Sequence, residues 1–402
     1  MSGFEPWPVF DDGDIAAVTA VLQSGRVNYW TGGEGTAFER EYAAACRVPH
    51  AIAASNGTTA LEMALHGLSL QPGQSVVVPS RTFIATASSV VARGGVPVCC
   101  DVDLESGNLS AATVVQAIES QPAGTDFAGV IAVHLGGWPC EMAELRELCD
   151  SRGLWIVEDC AQAHGASYDG HPVGSLGDAG CFSFCQDKIL TTGGEGGMLV
   201  TKRADVFERA WSLKDHGKAS SVRLKPKPAG NSFRWLHEQF GTNMRLSEMQ
   251  SAIGRRVLAK LPRWTALRQR NAARLTAAMR PFSCVRLPEI PSHVEHARYK
   301  FYAYVRPERL AAGWSRDRIL EAIRDAGVPA FSGSCSEIYR ETAFPPEWTP
   351  NPGWPNAREL GETSLMFLVH PTLSRETVDR MCGVITNVLC EAQQVVPRRA
   401  AA

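Results

Sequence analysis

The residues best suited to chemistry lie between positions 55 and 197. Trp155-Ile-Val-Glu158-Asp159 reads as an apolar strand ending on carboxylates, and it runs on through Gln162 to His164. Cys181-Phe-Ser183-Phe-Cys-Gln-Asp-Lys188 places an amine just past a later strand, and Gly193-Gly-Glu195-Gly-Gly197 follows. Upstream, Ser55-Asn56-Gly57-Thr58-Thr59 ends a strand on a glycine turn and opens a helix, whose free N–H groups and dipole make a phosphate site. An amine captures a carbonyl, a carboxylate keeps a ring nitrogen protonated, and clustered N–H and hydroxyl donors hold a phosphate. Pyridoxal phosphate needs all three.

Taken one at a time, these residues have plainer readings. Asp159 could cap a helix or pair with a base, and residues 55–59 could be an ordinary Ser/Thr helix start. A lysine is usually a solvated surface charge. Residues 193–197 could be a turn; they lack the Gly-x-Gly-x-x-Gly order and the strand-to-helix setting of a dinucleotide loop.

Elements must carry these side chains to one place. Apolar or β-branched runs at 51–54, 76–78, 96–100, 129–133, 154–157, 181–184 and 198–200 read as strands. Stretches 59–68, 84–93 and 142–152 have apolar residues at helical spacing. The alternation predicts an α/β fold with a large, mainly parallel sheet flanked by helices, and in such sheets ligands gather at the carboxyl ends of strands. Residues 214–241 break the pattern as a long basic excursion carrying Lys218, Arg223, Lys225 and Lys227. Residues 246–279 read as mainly helical, with Pro262 marking a break or kink. A strand at 299–305 and helices at 315–326 and 375–390 suggest a smaller C-terminal α/β domain, with 396–402 as a frayed tail. The expected division is a large domain over 1–255 and a smaller one over 256–402.

Bulk composition excludes several classes. The 402 residues are 45% hydrophobic and 20% charged with a net charge of -2, which suits a large globular core and gives no electrostatic reason for nucleic-acid binding. No apolar run is long enough for a membrane span, and the first residues lack a basic, then apolar, leader pattern. A cytoplasmic protein is the expectation. The twelve cysteines are scattered without a Cys-x-x-Cys pair, so reduced structural thiols and no metal site are expected.

Motifs in series identify a family. Leu22-Gln-Ser-Gly25, Phe38-Glu39, Ser55-Asn56-Gly57-Thr58, Val78-Pro-Ser-Arg-Thr-Phe83, Asp101-Val-Asp103, Val133-His134, Glu158-Asp159, Ala161-Gln162-Ala-His164-Gly165, Phe182-Ser183-Phe184 with Lys188, Gly194-Glu-Gly-Gly197 and Asn243-Met-Arg-Leu-Ser-Glu248 resemble the DegT/StrS family of fold type I aminotransferases over nearly the whole chain. The resemblance implies a pyridoxal-phosphate transaminase that aminates a keto sugar, usually nucleotide-linked, with L-glutamate or L-glutamine as donor. It implies that Lys188 holds the cofactor as a Schiff base and moves protons, and that Asp159 pairs with the ring nitrogen. Gln162 is then expected near the phenolic oxygen, Phe83 on the ring face, and Gly57, Thr58 and Ser183 at the phosphate. Asn243 is expected to reach the phosphate of a neighbouring subunit, which requires a homodimer with shared sites. Asn56 departs from the family's usual serine but also suits a helix start.

Tyr29 and Trp30, which could stack on a sugar or base, and Lys218 and Arg223, which could meet a diphosphate, occupy positions where family members contact substrate. A solvated surface loop is the alternative for the basic segment. His164 reads as structural, Glu195 is open, and Gly333 to Glu337, Tyr339 and residues 364–370 are candidates for lining the site. A cyclitol or aminoshikimate-type aminotransferase is the alternative. In the related sugar dehydratases the lysine is replaced, typically by histidine, so Lys188 argues against that activity.

Overall fold

The structure, a computed structural model, describes residues 4–223 and 236–394. Lys225, Lys227 and the tail over 396–402 lie outside them. Strands β1 (His50–Ala54), β2 (Ser75–Pro79), β3 (Val96–Cys100), β4 (Phe127–Val133) and β5 (Trp155–Asp159) are followed by the two-residue β6 (Ser167–Tyr168) and β7 (His171–Pro172), then β8 (Ala179–Ser183) and β9 (Gly197–Thr201). Seven of them form one sheet in the order β1-β9-β8-β5-β4-β2-β3. Pairing is parallel from β3 through β8, and β9 lies antiparallel between β8 and β1. The expected large, mainly parallel mixed sheet is therefore present.

Its central strands bury both faces, which is why they read as continuous apolar runs. Val76, Val77, Val78, Val130, Ile131, Ile156 and Val157 are all fully buried, each burial contributing roughly 1.5–3 kcal/mol. Gly129 pairs with Trp155 across the β4–β5 ladder. A Cβ at Gly129 would stand 2.2 Å from the indole, so only glycine lets that ring lie flat on the neighbouring strand.

The flanking helices are α1 (Asp12–Ser24), α2 (Glu34–Ala45), α3 (Gly57–Gly67), α4 (Ala85–Ala92), α5 (Ala111–Glu119), α6 (Met142–Arg152) and α7 (Ala204–Lys214). Helix α8 (Glu248–Met279) runs through Pro262 as one helix, so of the expected break or kink the break does not occur. Its first half is tied to α1 and α2 through Lys260–Asp14 and Arg255–Glu41 ion pairs, and its second half contributes Ala272, Leu275 and Met279 to a separate apolar cluster. Packing on both sides outweighs one lost backbone hydrogen bond.

That second cluster is built wholly from residues 272–392. Strands β10 (Val285–Arg286), β12 (Phe301–Val305), β13 (Ala330–Phe331) and β14 (Ser364–Phe367) form its antiparallel sheet in the order β10-β12-β14-β13, while β11 (Val294–Glu295) pairs with β6. Helices α9 (Arg316–Asp325) and α11 (Arg375–Ala392) cover it, and α10 (Pro355–Thr363) turns back to the large sheet. There the Trp354 indole donates to the Cys99 carbonyl at 2.8 Å, and Asp101 accepts from the Asn356 and Ala357 amides.

Candidate active site

Because β2, β4, β5 and β8 run parallel, their carboxyl ends share one edge, and a cavity of about 940 Å³ opens there against β12, β13 and β14. Gly57, Thr58, Phe83, Asp159, Gln162, Ser183 and Lys188 all line it. Residues spread over 131 positions of sequence thus meet in one place.

Asp159, at the end of β5, is buried; its oxygens accept from the Thr86 hydroxyl at 3.0 Å and the Ala161 amide at 3.2 Å. Burial nevertheless raises its carboxyl above the ordinary aspartate value, so an adjacent cation would be strongly favoured. Gln162 accepts from the Gly136 amide through Oε1 at 2.7 Å, leaving its NH2 group to serve the cavity. At the α3 N-terminus Asn56 and Thr59 form a reciprocal capping box, which satisfies the Thr59 amide and leaves the Gly57 and Thr58 amides without intrahelical partners. The Ser183 Oγ stands beside them: a Cβ on Gly57 would lie 3.1 Å from it and 2.6 Å from the serine's own Cβ. Phe83 is 69% exposed and presents a bare ring to the cavity mouth.

The Lys188 side chain is only 18% exposed; its amine lies 3.7 Å from the Asp187 carboxylate and 5.2 Å from the centre of the Tyr299 ring. The Tyr299 hydroxyl donates to Asp187. Burial would push the Asp187 carboxyl up, but Lys188, the Tyr299 hydroxyl and Lys300 together hold it below its usual value. Lys300 lines the same cavity, and burial, with Arg268 and Lys188 near, pulls its amine down to about 8 despite Asp187. Four carboxylates, Glu62, Asp159, Asp187 and Glu195, and two amines, Lys188 and Lys300, line the cavity.

The remaining candidates behave differently. Tyr29 lies outside the cavity: it is 2% exposed, donates to Glu39 at 2.9 Å, and lies under the buried Lys214 amine. Its ring serves the core. Trp30, Lys218 and Asn243 also lie outside the cavity, in a cluster built on the buried Asp215. That carboxylate accepts from the Trp30 indole at 2.8 Å and from Arg245 at 2.8 Å, pairs with Lys218 at 3.3 Å, and its backbone bridges to Asn243. Asn243 itself is exposed. Arg223 ends a short 3-10 turn, Ser220–Arg223.

His164 is fully buried, with Tyr42 on Nδ1 and the Ser183 carbonyl on Nε2, both at 2.8 Å. A carbonyl only accepts, so Nε2 carries the proton. Burial drives this imidazole down to about 3, and it supports the strand that carries Ser183. His134, Glu158 and Cys160 form a compact group of ligand-type residues, but its lone pairs are committed. His134 Nδ1 accepts from the Cys140 amide and Nε2 donates to Glu158, while Glu158 also accepts from the amides of Gly174, Leu176 and Gly177. All twelve cysteines are free.

Sequence reasoning missed Thr82 and Thr86, Tyr299, Lys300 and Tyr302 at and just before the start of β12, and Phe331, all of which line the cavity. Gly333, Ser334, Cys335, Met366 and Leu368, from the C-terminal candidates, line it as well, whereas Tyr339 is buried elsewhere and bonds Glu337. Alternation along β12 was the one available signal, and it does not say which face meets a ligand.

Sheet and cavity together are those of an α/β aminotransferase. A sequence model of the DegT/DnrJ/EryC1/StrS aminotransferase family matches residues 8–386, and the chain belongs to that family. Among solved structures, the aminotransferase from Psychrobacter cryohalolentis superposes with a TM-score of 0.92 at 44% identity, covering 96% of this chain and 99% of that one. The dTDP-3-amino-3,4,6-trideoxy-alpha-D-glucose transaminase of Streptomyces venezuelae is 33% identical, over 92% of this chain and 90% of its own. The L-glutamine:2-deoxy-scyllo-inosose aminotransferase of Streptomyces kanamyceticus is 33% identical, over 81% and 76% respectively. No helix among the described residues is long and apolar enough to cross a membrane.

Proposed function

We propose that the cavity binds pyridoxal phosphate and that the enzyme transfers an amino group from L-glutamate or L-glutamine to a nucleotide-linked keto sugar. The observation that carries this reading is the meeting of the Lys188 amine, the buried Asp159 carboxylate and the open α3 N-terminus on one cavity. The residues fit the group: a carboxylate in need of a cation, a phosphate-sized gap kept open by Gly57, and an amine shielded from solvent. When bound, the cofactor supplies an aldehyde for the amine and a ring that takes up negative charge from the substrate carbon.

The protein's own part is positioning and proton transfer. Asp159 holds the proton on the ring nitrogen, and Thr86 and Ala161 hold Asp159. Gly57, Thr58 and Ser183 supply phosphate donors, Phe83 covers a ring face, and Gln162 offers its NH2 group to the phenolic oxygen. Lys188 would hold the cofactor's aldehyde, and with its amine released Nζ would be the group placed to take a proton from the substrate carbon and return it. Asp187 keeps that amine in the cavity.

We further propose a homodimer in which Asn243, Trp30, Lys218 and Arg223 serve the partner subunit's site, since the first three stand outside their own cavity. The division into a cofactor-binding unit over 1–255 and a smaller unit over 256–402 is likewise a proposal; the separate apolar cluster of residues 272–392 supports it, with α8 and α10 joining the two.

Two outcomes test this reading. Purified protein given the cofactor should turn yellow, and borohydride should fix the label on the peptide containing Lys188; a colourless protein refutes it. Against a panel of keto compounds, removing the nucleoside diphosphate should cost about a hundredfold in kcat/KM, the loss of two charge-assisted hydrogen bonds. Equal rates on a free cyclitol ketone would replace the sugar-nucleotide assignment with a cyclitol one. The phosphate cradle gives a third prediction. In Gly57→Ala the new Cβ meets the Ser183 Cβ at 2.6 Å and its Cα at 3.2 Å, a strain of about 1–3 kcal/mol. Cofactor affinity, read by absorbance titration of the apo protein, should fall about tenfold or more.

A further inference from the structure

The N-terminal residues 4–7 form a strap with two attachments. On one side it grips the C-terminal unit. Phe4 packs on the cluster of residues 272–392, with the Arg380 guanidinium 4.8 Å from its ring. The Glu5 carboxylate accepts from the Ser374 amide at 3.1 Å and the Thr377 hydroxyl at 2.9 Å, at the start of α11, and the Pro6 carbonyl accepts from the Thr372 hydroxyl at 2.8 Å. On the other side, Trp7 donates its indole N–H to the carbonyl of Lys188 at 2.9 Å, across 181 positions of sequence. The indole is wedged by its neighbours: edge-on to Trp264 at 5.0 Å, stacked on His370 at 6.1 Å, and with the Arg268 guanidinium 5.0 Å from its ring centre.

We propose that Trp7 is a positioning residue for Lys188, and that the strap makes the placement of the amine depend on the seating of the C-terminal unit. Lys188 lies in the irregular segment between β8 and β9, where no ladder fixes the peptide planes. Its amide donates to the Cys185 carbonyl at 3.0 Å and its carbonyl accepts from Trp7, so a peptide group is pinned on each side of its Cα. What stays free is rotation within the side chain, and Asp187 and Tyr299 narrow that. Without the indole bond the plane after Lys188 can turn, and a long side chain converts a small rotation at Cα into an ångström-scale shift at Nζ. Displacements of that size lower rates by one to two orders of magnitude.

The inference rests on the reading of Lys188 as the cofactor-capturing amine. Trp7→Phe keeps an aromatic ring among Trp264, His370 and Arg268 and removes the N–H together with the second ring of the indole. It should form the yellow complex from apo protein and added pyridoxal phosphate about tenfold more slowly than the parent, and lower kcat about tenfold with KM for both substrates within about twofold. The apo melting temperature should stay within about 2 °C of the parent's, as a purely structural role would not allow. Glu5→Ala removes the strap's hydrogen bonds to Ser374 and Thr377 while leaving the Phe4–Arg380 contact and the indole in place, and should slow both rates about threefold; it carries the test if Trp7→Phe does not fold. Parent-like rates in the folded variant, or a lowered melting temperature with unchanged rates, overturn the inference. A parent protein that never colours sinks the assignment of Lys188 instead.

Discussion

Lys188→Ala is expected to abolish transamination, with kcat lower by about 10⁴-fold or more, because in the proposed function one side chain supplies both the covalent hold on the cofactor and the shuttled proton. The alanine protein should still take up pyridoxal phosphate, since the donors at Gly57, Thr58 and Ser183 and the carboxylate of Asp159 are untouched. Its absorbance should be that of the free aldehyde, and borohydride should leave no label on the peptide. The cavity opened by the change lies beside Asp187 and Tyr299, so a small added amine such as methylamine has a place to act and should restore part of the rate. Parent-like turnover on glutamate and a keto sugar would move the chemistry to another residue. Lys300 is the first to consider, because it lines the same cavity with an amine drawn down to about 8.

The second large effect is at Asp159. A carboxylate at hydrogen-bond range of a ring cation is worth about 4 kcal/mol at an effective dielectric of about 20, which is about 10³ in kcat. Asp159→Asn keeps the size and an acceptor for the Thr86 hydroxyl and the Ala161 amide, but it cannot hold a proton on the ring nitrogen. It should lose that factor in kcat with little change in KM. The apo protein should respond in the opposite sense. Burial raises the folded-state pKa of Asp159 above that of an ordinary aspartate, so between those two values the folded state binds more protons than the unfolded one. Stability from this group is therefore lost as pH rises through the carboxylate range, and at neutral pH the buried charge opposes folding. Apo Asp159→Asn should melt no lower than the apo parent at pH 7, and its advantage should vanish at pH 4. A lower melting temperature for the apo variant at pH 7 would mean that Asp159 is already satisfied by its own neighbours.

Both residues were legible in the chain for physical reasons. Asp159 follows an apolar strand, where a parallel sheet must expose its carboxyl end, and Lys188 follows the next long one. Gly57 sits where a strand turns into a helix, and its lack of a Cβ is the reason the α3 N-terminus can approach Ser183. The strands over 96–100 and the helix over 142–152 have the expected limits, because their periodicity is local and strong. Pro262 misled, since a proline's local preference is weak against a helix packed on α1, α2 and α11.

Tyr29 shows the complementary limit. An aromatic beside Trp30 could as easily meet a sugar as a buried lysine, and only the approach of Lys214, 185 positions away, together with Glu39 on the next helix, put it in the core. Thr86, Tyr299 and Lys300 carried no signal of their own because their importance comes from what they face.

What the chain determined by itself was the order of strands and helices, the glycine turn that opens α3, and the placing of Asp159 and Lys188 at and beyond strand ends, because each is written in residue type and short-range spacing. The tertiary structure decided which face each side chain presents, which residues of β12 to β14 close the cavity, and that the indole at position 7 bonds the carbonyl of Lys188. Those depend on contacts between segments more than a hundred residues apart, and short-range spacing carries no information about them.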